Sequence, residues 1–168
     1  MRVLCTLLFV FISVTVFAQT EAPETHFDFW VGNWELSWDH ADGSKGSGTN
    51  LIEKTLDGVV IQENFRALTG AFAGMKGTSI SVYNPQTQTW RQAWADNQGG
   101  YFDFYGITDG GVRIFQTQPQ ELADGRIFVQ RMRFYDIEEN SLTWDWESSN
   151  DGGENWTLAW RIFYNRMD

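Results

Sequence analysis

The chain has 168 residues and a formal charge of −10, from 12 basic and 22 acidic side chains. That length suits a single domain, and the acidity repels phosphate backbones and anionic lipid, so neither nucleic acid nor membrane is an expected partner. The one cysteine, Cys5, sits in the N-terminal apolar segment, so disulfides, thiol nucleophiles and cysteine metal sites are excluded from the rest of the chain.

Residues 1–18, MRVLCTLLFVFISVTVFA, read as a secretory signal peptide: Arg2, an apolar run from Val3 to Phe17, then Val16 and Ala18 at the small positions before cleavage. The run is about 15 residues with polar breaks at Ser13 and Thr15, short of the ~20 a spanning helix needs. The expectation is an exported protein, periplasmic or secreted, whose mature single domain covers residues 19–168.

From there on, period-two alternation bounded by Gly, Asn and Asp recurs, and no helical periodicity is sustained. The predicted strands are Trp30 to Asp39, Gly48 to Leu56, Val59 to Leu68, Gly77 to Tyr83, Thr89 to Asp96, Tyr101 to Ile107, Val112 to Thr117, Arg126 to Tyr135, Ser141 to Ser148 and Trp156 to Tyr164. Between them lie turn pairs such as Asp57-Gly58, Asn84-Pro85, Gly99-Gly100, Asp109-Gly110 and Asp124-Gly125. About ten short strands joined by tight turns predict an all-β fold, a closed antiparallel up-and-down barrel with no exposed edge.

On the first strand, Trp30, Gly32, Trp34, Leu36 and Trp38 share a face, and their alternation of large and small suits a tapering interior. Each tryptophan reads as core filling or as ligand contact. The loop from Thr69 to Lys76, rich in Gly and Ala, is placed where it could line a mouth. Ser149-Asn150-Asp151-Gly152-Gly153-Glu154-Asn155-Trp156 has the form of an Asp-box with Asn155 in place of Thr; it reads as a hairpin device in which Ser149 and Asp151 bind turn amides and Trp156 packs beneath.

Gly32-Asn33-Trp34 on a first strand resembles the Gly-x-Trp motif of lipocalins and other calycins. That resemblance implies a Trp34 that closes one barrel end under a cation–π lid, with Arg161 or Arg166 from the final strand as the candidate arginine. The segments at 27–34, 63–65, 77–85, 90–97 and 149–156 together resemble a family of uncharacterised exported bacterial proteins that opens on Phe-Asp-Phe-Trp, which implies a calycin-like barrel and no known chemistry. Nitrobindin-type haem barrels are similar in strand number and opening motif, but they hold iron through a histidine near the C-terminal end. Here His26 and His40 are the only histidines. Haem ligation by that route is therefore disfavoured, no cofactor is expected, and each imidazole reads as exposed or capping.

The candidate ligand-binding residues are those that alternate with apolar neighbours and point inward if the barrel phase is right: Trp34, Glu63, Trp90, Trp94, Asp96, Tyr101, Arg131, Arg133 and Trp146. They point to a small hydrophobic or aromatic ligand. The alternatives are an enzyme acting on a small planar substrate, with Glu63 or Asp96 as acid or base, and a protein-interaction module without a ligand. No Ser/His/Asp order, phosphate-cradling loop or metal-ligand spacing assigns catalysis independently.

Overall fold

Among the described residues eleven strands form where the sequence alternates: β1 (Gly32–Asp39), β2 (Lys45–Thr55), β3 (Val60–Ala67), β4 (Lys76–Asn84), β5 (Thr89–Asp96), β6 (Tyr101–Asp109), β7 (Val112–Thr117), β8 (Gln120–Glu121), β9 (Ile127–Tyr135), β10 (Ser141–Ser149) and β11 (Thr157–Arg166). The structure, a computed structural model, describes residues 21–167; the expected signal peptide lies outside them. Each strand pairs antiparallel with the next from β1 to β7, β9 joins β7 to β10, and β11 returns to β1 with Trp34 opposite Arg166 and Leu36 opposite Tyr164. Ten strands thus close a ring, and the two-residue β8 pairs with β9 alone.

The expected start of the first strand is corrected. Residues Pro23–Thr25 and Asp28–Trp30 form 3₁₀ turns, and β1 begins at Gly32. A strand would send Phe27 and Trp30 to opposite faces, whereas three residues per turn bring both to the same side. Both are buried, Phe27 at 0 % and Trp30 at 1 % exposure, so the segment crosses one barrel end and plugs it. Phe27 stacks on Phe115 with centroids 4.2 Å apart and meets Trp90 edge-on at 5.1 Å, while Trp30 meets Phe134 at 5.1 Å. The Trp90 indole donates to the Pro23 carbonyl at 2.8 Å, tying the plug to the wall.

Trp34 sits directly behind this plug and donates its indole N–H to the Trp30 carbonyl at 2.8 Å. The Arg166 guanidinium covers its ring at 4.1 Å and donates to the carbonyls of Val31, Phe29 and Glu139 at 2.9, 3.3 and 2.9 Å. The lid arginine is Arg166 and not Arg161, which lies on the outer face. Gly32 has φ +148°, and a Cβ there would occupy the place of the guanidinium, so the glycine makes room for the lid.

At the far end lie the segment between β7 and β9 and the loops that follow β1, β3, β5 and β10. The last of these confirms the hairpin reading: the Ser149 hydroxyl bonds Asp151 at 2.6 Å and accepts the Gly153 amide at 2.9 Å. Asp151 in turn accepts the amides of Glu154 and Asn155 at 3.1 and 3.0 Å.

Arg166→Ala removes charge-assisted hydrogen bonds and the ring contact together, and should cost about 2–3 kcal/mol. Arg126→Ala removes an ion pair with Asp124 whose two side chains are 55 % and 54 % exposed, and should cost less than ~0.5 kcal/mol. Urea unfolding of the two variants beside the parent measures this; equal losses would mean that the lid does not hold the barrel end.

Candidate functional site

Inside the ring the side chains fall into three levels. Nearest the plug the interior is apolar, with Trp34, Ile52, Ile61, Phe115 and Phe134 all 1 % exposed or less. Above this lies a polar belt: Asn50 from β2, Glu63 from β3, Ser79 and Ser81 from β4, Gln92 from β5 and Tyr164 from β11, every one of them buried. Above the belt a cavity of about 150 Å³ extends to the far end, bounded by Glu63, Tyr164 and Asp96 among aromatic and apolar side chains.

Four of the sequence candidates meet there: Glu63, Trp94, Asp96 and Trp146. They come together because β3, β5 and β10 each turn their alternate residues inward, and Ser79 of β4 pairs with both Glu63 and Trp94. Gly77 leaves room for the Trp94 ring, which a Cβ at that position would overlap.

Five candidates are placed elsewhere. Trp34 and Trp90 point inward but lie at the plugged end, where the Arg166 lid and Phe27 cover them. Tyr101 faces outward and is 69 % exposed, because its strand neighbours Phe102 and Phe104 take the inner positions. Arg131 and Arg133 also face outward, where both donate to Glu147, at 2.6 and 3.2 Å. Their phase is fixed by Met132, which opposes Phe115 and Trp146 on the inner face. Arg131 further covers the Trp156 ring at 3.6 Å, and Arg161 holds Asp145 in a two-bond pair at 2.7 and 2.8 Å. These outer pairs shield Asp145 and Val129, which are 1 % and 0 % exposed.

The cavity also contains residues that were not candidates, above all Trp144, Trp160, Phe102 and Tyr164. Trp144 stacks parallel to Trp146 at 6.5 Å and meets Trp160 edge-on at 5.9 Å, and Phe102 meets Trp146 at 5.4 Å. The loop after β3 contributes as expected: Met75 lines the cavity and Phe72 rests on Trp160 at 4.6 Å. His40 anchors this loop by accepting the Ala71 amide at 3.3 Å, and His26 meets the Thr108 hydroxyl at 3.0 Å at the plugged end. Neither imidazole lines the cavity. Among the described residues no cluster of three or more His, Cys, Asp or Glu is placed to hold a metal ion.

The electrostatics centre on Glu63. Asn50 donates to one carboxyl oxygen at 2.7 Å and Ser79 to the other at 2.6 Å, while Asn50 also donates to the Tyr164 hydroxyl at 3.2 Å. Burial outweighs those hydrogen bonds and pushes the Glu63 carboxyl up to about 7. Burial, then the nearby Glu63 charge, raises the Tyr164 phenol, which stays protonated. Burial also opposes ionisation of Asp96, but bonds from the Gly100 amide, the Trp94 indole and the Gln98 amide together hold its carboxyl below the usual range. The floor acid therefore titrates near neutrality and the rim acid stays charged.

Glu63 imposes a pH dependence of unusual sign. Between the ordinary value of 4.5 and about 7, the folded protein holds a proton that the unfolded chain has released, so stability falls as pH rises through this window and levels off above it. The loss is roughly 3 kcal/mol. Glu63→Gln should lack this slope and be the more stable of the two at pH 8; parallel slopes in urea unfolding between pH 4.5 and 8 would show that Glu63 is solvated.

No protein-family model matches the sequence, and neither does any curated protein. A search of solved structures finds the fold in Rv2717c from M. tuberculosis, with a TM-score of 0.53 at 10% sequence identity, covering 89% of this chain and 100% of that one. At that identity the likeness is one of barrel architecture alone.

Proposed function

We propose that this protein is an exported barrel that binds a small hydrophobic or aromatic molecule in the cavity above Glu63. The observation that carries this reading is a barrel stoppered at one end and hollow at the other, with an aromatic wall left unfilled by its own side chains. Buried aromatic space of this kind is disfavoured in a domain whose core only has to pack, because each void forfeits contacts. A cavity of about 150 Å³ takes up benzene-sized molecules, so the ligand has about one ring, and a tetrapyrrole is too large. The N-terminal leader, read from sequence, supports export.

A second reading is favoured by Glu63. A carboxyl that titrates near 7 beside a cavity suits a general acid or base, and the substrate would be a small planar molecule seated against the same indoles. Retention of binding with loss of turnover in Glu63→Gln separates this reading from simple binding.

Tryptophan fluorescence provides the test. One-ring apolar compounds should quench it saturably, a tetrapyrrole should not compete with them, and Trp146→Leu should weaken their binding about tenfold or more. A flat response to every compound in a folded protein would contradict a ligand cavity.

A further inference from the structure

We propose that the cavity selects a small organic cation, an ammonium group carried on one aromatic ring or an apolar group of similar size. The inference rests on the ligand-binding reading above and specifies its chemistry. Both charged residues that line the cavity, Glu63 at the floor and Asp96 at the rim, are acidic, and among the described residues no Lys, Arg or His lines it. The arginines of β9 and β11 that lie closest in sequence to the wall residues, Arg131, Arg133 and Arg161, are engaged outside by Glu147 and Asp145. An anionic ligand would thus lose its hydration without meeting a counter-charge.

Glu63 itself lacks a cation. Its partners Asn50 and Ser79 are neutral, and a carboxylate buried among neutral groups is stabilised by gaining either a proton or a positive charge. The belt around it leaves two further acceptors without donors, Asn50 Oδ1 and Gln92 Oε1. Trp94, Trp144, Trp146 and Trp160 add the π density that attracts ammonium groups. The chain's charge of −10 raises the local concentration of cations in the same sense.

Ligand and proton compete for Glu63. From β2 and β4 it is bonded by Asn50 and Ser79, and it shares the cavity with the neutral Tyr164 phenol of β11 and the ionised Asp96 of β5; β6, β9 and β10 turn only uncharged side chains to the cavity. Cation affinity should therefore rise as pH increases through about 7, where Glu63 loses its proton.

The test compares benzylamine, benzyl alcohol and benzoate by calorimetric titration of the full chain. At pH 8 benzylamine should bind about tenfold or more tighter than benzyl alcohol, with no binding of benzoate. The preference should shrink at pH 5.5, where the amine is still charged, and benzyl alcohol should be indifferent to pH. Glu63→Gln should reduce benzylamine to the level of the alcohol; if that variant does not fold, the pH series on the parent protein decides. Alcohol or benzoate binding as tightly as the amine at pH 8 overturns the cation inference and leaves the ligand cavity standing. No binding of any of the three overturns both.

Discussion

Arg166 joins three parts of the chain that are far apart in sequence. Its guanidinium lies over the Trp34 ring and donates to carbonyls of the N-terminal crossing segment and of the turn between β9 and β10. One side chain on the last strand thereby fixes the first strand, the plug and the closing hairpin to each other, and the glycine that opens β1 exists to leave it room. Everything above this closed end follows from it. With Phe27, Trp30 and Trp34 filling the bottom of the barrel, the remaining interior has one opening, and a polar group placed at mid-height becomes the floor of a blind cavity.

That polar belt is costly in isolation. A buried carboxyl, two amides and three hydroxyls replace apolar packing that would serve the core as well or better. Asn50 and Ser79 limit the cost by satisfying both oxygens of Glu63, yet they supply no positive charge. The outer face shows the opposite treatment of acids: Asp145 and Glu147, also buried, are each met by arginine. Asp145 and Glu147 are thus compensated by guanidinium groups, whereas Glu63 at the floor of the cavity is met only by neutral partners.

Much of the fold was legible from residue order. Alternation with turn pairs yielded the ten ring strands, while the closed end and an arginine lid, from Arg161 or Arg166, were implied by the resemblance of Gly32-Asn33-Trp34 to the calycin motif. The plug was not, because Phe27, Phe29 and Trp30 continue the aromatic run into β1 and look extended until the spacing of Phe27 and Trp30 is read as a 3₁₀ turn. Within the site, Glu63, Trp94, Asp96 and Trp146 were found from their apolar neighbours. Arg131 and Arg133 misled for a physical reason: their face also carries Val129, which is buried beneath arginine and Trp156 rather than inside the barrel, so both faces of β9 look like core. Trp34 and Trp90 were right in direction and wrong in depth, since alternation fixes the face of a strand but not the height along the barrel. Asn50 and Ser79 gave no signal, because a small polar residue between apolar ones is as common outside as inside; their pairing with Glu63 is a product of strand register.

The account turns on an acid held without a counter-charge at the floor of an aromatic cavity. The most direct measurement is the titration of the Glu63 side-chain carboxyl carbon by NMR in the unliganded protein, with Glu63→Gln used to assign its resonance. A midpoint near 7 would establish a buried floor acid without a counter-charge. A midpoint at the ordinary glutamate value would mean that water or a cationic partner reaches the carboxyl, and would contradict an uncompensated floor.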